Sequence, residues 1–222
     1  LIQLECAGLS GYSNELFLNA VPPVVIVLLL AIAALVQQAV VKRERGWELG
    51  RGTALHALPS VLMVTFLVSP DISALAFKAF QCECSGEESV LRADYELQCT
   101  VGGCEAEHRT AEYLRVYRSA WATLAVYAIG VPCVYALLLF LARRTIMDEG
   151  HRPLADALAF LHGEYRPSCY GWELASVVHK LIIVGFASLI KPDTLMQLVV
   201  VLCFVLAFRL MLTIVRPYRT NA

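Results

Sequence analysis

Residues 16–41 read LFLNAVPPVVIVLLLAIAALVQQAVV, 26 positions without Asp, Glu, Lys or Arg. A helix needs about 20 such residues to cross the hydrocarbon core of a bilayer. This stretch is therefore the first membrane span, with Pro22-Pro23 near its start, where a missing N–H costs little. The rest of the chain agrees with it. Of its 222 residues 58% are hydrophobic and 17% charged, against about 45–50% and about 25% in soluble domains. The formal net charge is −1, without the basic stripe of a nucleic-acid protein. A soluble enzyme, a disordered chain and a nucleic-acid partner are excluded on these grounds.

Four more spans follow. Residues 52–70 carry no charge, and apolar residues continue to Phe80; Pro59 lies early in this span and Ser69-Pro70 predicts a kink or an end. Residues 119–142 form the third span, with a bend expected at Gly130-Val131-Pro132. Residues 170–190 form the fourth, imperfect because it holds Glu173 and Lys180. Residues 194–215 form the fifth, interrupted by Arg209. The expected fold is all-α, a polytopic bundle with spans near 16–41, 53–77, 118–142, 170–190 and 194–215. Residues 1–15 form an extracytoplasmic segment, and 16–222 the membrane domain. In residues 151–165, Leu154, Leu158 and Leu161 recur at i, i+4, i+7, which predicts an interfacial helix; a polar loop is the plainer alternative. The chain opens Leu1-Ile2-Gln3 and stops at Ala222, so we expect it to be a segment of a longer polypeptide.

Charge sets the orientation. Lys42, Arg43, Arg45, Arg51, Arg143, Arg144, Arg152, Arg166, Arg216 and Arg219 fall on one side of five alternating spans. The other side holds six bases spread over far more residues. The positive-inside rule puts the C-terminus in the cytoplasm, and the N-terminus and the loop 78–117 outside or in a lumen. The cysteines agree. Cys6, Cys82, Cys84, Cys99 and Cys104 all fall on the outer side, where disulfides persist. Two crossed or nested pairings of Cys82, Cys84, Cys99 and Cys104 remain open, and a zinc site is the rival; no metal is predicted, because the spacing is not a zinc signature. Cys133, Cys169 and Cys203 read as small apolar residues.

Residues 71–116 hold nine acids against four bases. At a pore mouth such a loop would enrich cations; the plain reading is a solvated surface. Lys180 sits near the middle of its span, where a charge costs about 2.5–3.5 kcal/mol on insertion scales. It is a candidate ion-path or gating residue, with a structural polar contact as the alternative. Glu173 lies about two turns away on the same face. Arg209 can snorkel to the headgroups. His56 and His179 are weak candidates for a pigment or metal ligand. No Gly-x-Ser-x-Gly, His-Glu-x-x-His or phosphate-loop pattern occurs, so no enzyme is expected.

Several blocks resemble a family. They are Cys82-Glu83-Cys84, Val90-Leu91-Arg92-Ala93-Asp94-Tyr95 with Cys99, Tyr127-Ala128-Ile129-Gly130-Val131-Pro132, Tyr170-Gly171-Trp172-Glu173 leading to His179-Lys180-Leu181, and Arg216-Pro217-Tyr218. Together they are similar to the multi-span C-terminal region of large protist and algal TRP-like, polycystin-related membrane proteins with cysteine-rich ectodomains. The resemblance implies an ion channel or sensor region, in a plasma or endomembrane, working as a homo-oligomer. This chain departs from a channel core in one respect: only Lys191-Pro192-Asp193 joins the last two spans, leaving no room for a pore helix and filter. The rival expectation is a non-catalytic accessory subunit of a larger complex, for example a photosynthetic or other energy-transducing assembly in a thylakoid or other organelle membrane. Its partners would be other membrane subunits, and chlorophyll or carotenoid contacts would belong to that reading alone. In both, the bilayer is a partner and bound lipid is expected; no other cofactor is predicted.

Overall fold

The computed structural model describes residues 11–42, 47–85, 88–102, 104, 108–148, 153–189 and 194–219. Helix α1 spans Tyr12–Lys42 and α2 spans Trp47–Lys78. Both run longer than their uncharged stretches, because polar residues at a helix end reach the headgroup layer without breaking the backbone ladder. Pro22-Pro23 and Pro59 and Pro70 lie inside these helices, so the chain passes through Ser69-Pro70 as helix. Side-chain hydroxyls reach backbone carbonyls close to two of these prolines. Ser73 Oγ donates to the Ser69 carbonyl at 2.6 Å, and Tyr127 Oη donates to the Ala20 carbonyl at 2.6 Å, just before Pro22.

Three short strands follow α2: β1 (Cys82–Ser85), β2 (Glu88–Leu91) and β3 (Asp94–Gln98). They form an antiparallel meander in the order β1-β2-β3, a small sheet within a chain that is otherwise helical. Its disulfides are Cys82–Cys99 and Cys84–Cys104. This is the crossed pairing, and it displaces a zinc site built on the same four sulfurs. The sheet's inner residues Val90 and Leu91 are buried. Leu91 joins Tyr12, Leu16, Ala76, Ala79, Cys99, Tyr113, Val116, Ala120 and Leu124 in one core, which ties the sheet to both flanking helices.

Helix α3 (Ala111–Leu124), a π turn (Ala125–Gly130) and α4 (Val131–Met147) make one continuous rod. Thr110 caps α3, accepting from Tyr113 N–H at 3.2 Å. Tyr113, Val116, Ala120 and Leu124 are buried at helical spacing, while Arg115 and Arg118 face outward. The bend expected at Gly130-Val131-Pro132 takes the form of the π turn. Val131 N–H reaches back to the Val126 carbonyl, and the widened turn makes room for the ring of Pro132, which brings no N–H of its own. Gly130 permits it: a Cβ there would lie 3.2 Å from the Ala125 carbonyl oxygen.

Residues 153–162 form two short helices, α5 (Pro153–Ala157) and α6 (Ala159–His162), broken at Leu158, rather than one interfacial helix. Residues 151 and 152 of that expected helix lie outside the described residues. Leu158 and Leu161 are fully buried. With Leu62, Tyr135, Leu139, Ala142, Ile146 and Ala155 they make a second core at the opposite end of the bundle. The apolar stripe therefore faces protein.

Helix α7 (Trp172–Leu189) packs on α2 and α4, and α8 (Leu195–Val215) packs on α7. Gly185 sets the α2–α7 distance, since a Cβ there would lie 3.1 Å from Phe77 Cζ. Among the described residues, four helical stretches are long and apolar enough to cross a membrane: Tyr12–Leu30, Ala57–Lys78, Ala111–Met147 and Leu195–Val215. They match four of the five expected spans. The remaining one corresponds to α7, whose 18 residues measure about 27 Å and carry Glu173 and Lys180.

Candidate functional site

The polar residues singled out in α7 and α8 do not converge. Glu173 is in the first turn of α7 and accepts a short hydrogen bond from Tyr165 Oη. Tyr165 is buried, pairs as an antiparallel bridge with Tyr218, and lies tilted against its ring with centres 5.4 Å apart. Arg166 N–H donates to the Pro217 carbonyl at 2.9 Å, and Arg219 N–H to the Glu164 carbonyl at 2.9 Å. The result is a latch joining the start of α7 to the segment that leaves α8. Arg216, with φ of 47°, turns the chain back into it. Burial, and then the hydrogen bond to Glu173, push the Tyr165 phenol above the ordinary tyrosine range. Pro217 is among the fully buried side chains, so Arg216-Pro217-Tyr218 ends α8 and also closes this end of the bundle.

Lys180 is exposed, with its Nζ 4.8 Å from the centre of the Phe66 ring. It does not meet Glu173, as expected for residues about two turns apart. Its charge lies against an aromatic face of α2, a favourable placement for an ammonium away from water. Arg209 is exposed on α8 and makes no hydrogen bond or ion pair among the described residues. The side chain of His56 lies outside the described residues. His179 stacks on Phe208 with ring centres 3.9 Å apart, and its Nε2 lies 3.4 Å from the Phe204 carbonyl oxygen. Its imidazole is committed to the α7–α8 seam.

Two features were not anticipated from the sequence. Trp172 and His179, seven residues apart on α7, both face Phe208 of α8, with Trp172 at 5.9 Å. This aromatic seam is what holds α8, and the i, i+7 spacing of Trp172 and His179 was its only signal. At the sheet end, Arg109 lies 4.1 Å above the Tyr117 ring, and Phe80 packs edge-on against Tyr117 and Trp121. These residues line a cavity of about 400 Å³ that reaches Ala128 and Ile129 in the π turn. Trp and Tyr clusters of this kind sit at the headgroup level of membrane proteins.

Asp94 links the sheet to the bundle. Its Oδ2 accepts from Tyr12 N–H at 2.9 Å and its Oδ1 from Glu96 N–H at 3.2 Å. A side chain from the disulfide-linked loop thus caps α1. Arg92 pairs with Glu83 at 2.8 Å across the sheet. Asp94 thus ties the sheet to α1, and Trp172 with His179 builds the α7–α8 seam.

Among the described residues no group of three or more His, Cys, Asp or Glu side chains is placed to hold a metal ion. Comparison with known proteins returned no matching family model, no matching curated protein and no matching solved structure.

Proposed function

We propose that this chain is the sensor-like bundle of a TRP-like membrane channel, with α8 as the helix through which it engages a neighbouring subunit. One observation carries the reading: none of the described residues of α8 is buried. Its 21 residues are apolar all round except Gln197, Thr213 and Arg209. A helix of that composition is stable only in lipid or under other protein. It is fastened to the bundle along one narrow seam, as an arm that transmits movement from a packed unit to a partner would be. Lys180, in the helix that carries the seam, is the residue we assign to the polar path; Glu173 acts as the latch that sets where α7 begins. The disulfide-linked sheet and the N-terminus would lie outside or in a lumen, and the Arg-rich end in the cytoplasm.

The test is made on the full-length polypeptide in membranes. Native mass should give a homo-oligomer, and Lys180→Ala should alter ion flux in a reconstituted preparation. Unchanged flux would remove Lys180 from the path.

A second reading draws on a separate observation. Val25, Leu28, Leu29, Ile32 and Val36 give α1 an exposed apolar face of its own. An accessory subunit would bury both flanks against different chains. A single copy held among unlike subunits would favour that reading.

A further inference from the structure

One polar atom in the bundle lacks a partner at a place where an apolar groove opens beside it. Trp172 is 7% exposed, and its Nε1–H makes no hydrogen bond among the described residues. Leaving a buried donor unpaired costs about 1–3 kcal/mol, and native proteins rarely tolerate it without a bound group. Trp172 lines a cavity of about 530 Å³ between α4, α7 and α8, together with Leu139, Phe140, Ala175, Met211 and Val215. That volume lies in the range of small-molecule sites, and its walls are almost wholly apolar.

Cations rim the same end of the bundle. Arg143 Cζ lies 4.2 Å above the Phe140 ring, which is itself part of the wall. Arg216 directly follows the lining residue Val215, and Arg166 precedes the lining turn at Ser168; all three arginines are exposed. Two acids of this end are engaged away from the groove, while Glu164 and Asp148 are exposed near it. Glu173 accepts from Tyr165, and Asp156 lines a separate cavity beside His162 and Arg219.

We propose that this groove holds one anionic glycerophospholipid from the adjoining leaflet. An acyl chain fills the cleft along α4 and α8, an ester carbonyl accepts the Trp172 Nε1–H, and the phosphate lies among Arg143, Arg166 and Arg216. The cleft opens between two of the membrane-length rods, so the bilayer supplies its occupant. A neutral hydrocarbon would leave the indole N–H unpaired, and a soluble anion would leave the apolar wall empty.

The experiment uses the full chain, delipidated in detergent and titrated with phosphatidylglycerol or phosphatidylcholine, with retained lipid counted by native mass. We expect saturation at one phosphatidylglycerol per chain. Trp172→Phe keeps the ring and removes the donor, and should weaken retention of both lipids about five- to tenfold. Arg143→Gln should lower the preference for phosphatidylglycerol and leave phosphatidylcholine retention unchanged. A second measurement does not depend on the Trp172 variant folding. In a Trp47→Phe, Trp121→Phe chain, trace phosphatidylglycerol with brominated acyl chains in excess phosphatidylcholine should quench Trp172 saturably. Equal retention of the two lipids, retention unaffected by Trp172→Phe, or quenching no greater than the bulk lipid ratio would each overturn the assignment.

Discussion

The Tyr165–Glu173 latch gives a prediction whose size can be worked out. Tyr165 is buried, and its phenol donates to a carboxylate at the start of α7. A hydrogen bond to a charged group contributes about 1.5–3 kcal/mol, whereas neutral side-chain bonds between membrane helices average about 0.6 kcal/mol. The latch lies at the end of the bundle, on a turn rather than at mid-membrane, so the larger value applies. A double-mutant cycle of Tyr165→Phe and Glu173→Ala should therefore give a coupling of about 1.5 kcal/mol or more. Glu173→Gln keeps an acceptor and loses only the charge, so it should cost less than Glu173→Ala. Reversible unfolding in mixed micelles, read by Trp fluorescence, supplies the four free energies. If Glu173 instead lined an ion path, Glu173→Gln would change flux and leave stability intact. A coupling near zero would refute the latch.

Other predictions follow from the same contacts. Tyr165 is raised above its unfolded value, so its share of stability is complete below about pH 10. It is lost as pH climbs toward the folded value; an alkaline titration should show a shallower decline for Tyr165→Phe than for the parent chain. Asp94→Ala removes the cap on α1 and should cost about 1 kcal/mol, seen as faster hydrogen exchange at the start of α1. Replacing Cys82 and Cys99 together with Ser opens a link between residues 17 apart and should cost about 3 kcal/mol; peptide mapping without reduction should recover Cys84 joined to Cys104 in that variant. Leu161→Ala should cost about 2–5 kcal/mol, because Leu161 is fully buried against the second core; a cost below 0.5 kcal/mol in micelle unfolding would put the Leu stripe in lipid instead.

The long uncharged runs were legible because one physical quantity, hydrocarbon length, decides them. Residues 16–41 and 194–215 announce α1 and α8 without help from packing. The ends of the helices were less legible. Ala111–Arg118 carries Glu112, Arg115 and Arg118, so counting between charges starts the third rod late, although Tyr113 and Val116 already face the core at helical spacing. The sheet was hidden for a different reason. Its strands are four or five residues long and rich in Glu and Cys, and they are held by disulfides and by Leu91 rather than by a hydrophobic alternation. The cysteines pointed to an oxidising side, but spacing alone could not choose the crossed pairing. Leu154, Leu158 and Leu161 gave the right stripe; the break at Leu158 arises because the segment wraps onto α2 and α4. Glu173 and Lys180 were visible as charges out of place, but their partners Tyr165 and Phe66 are set by how α7 lies against its neighbours, which no local pattern encodes.

Engagement of α8 by a neighbouring copy is the central claim, and Cys203 offers a natural probe, being exposed on α8 with a free thiol. In the full-length polypeptide carrying Cys6→Ala, Cys133→Ala and Cys169→Ala, a membrane-permeant thiol cross-linker should join Cys203 of one copy to Cys203 of a neighbour, and native mass should show a homo-oligomer. Cross-links only to unlike subunits, or none at any linker length in a particle of one copy, would contradict the channel-sensor assignment.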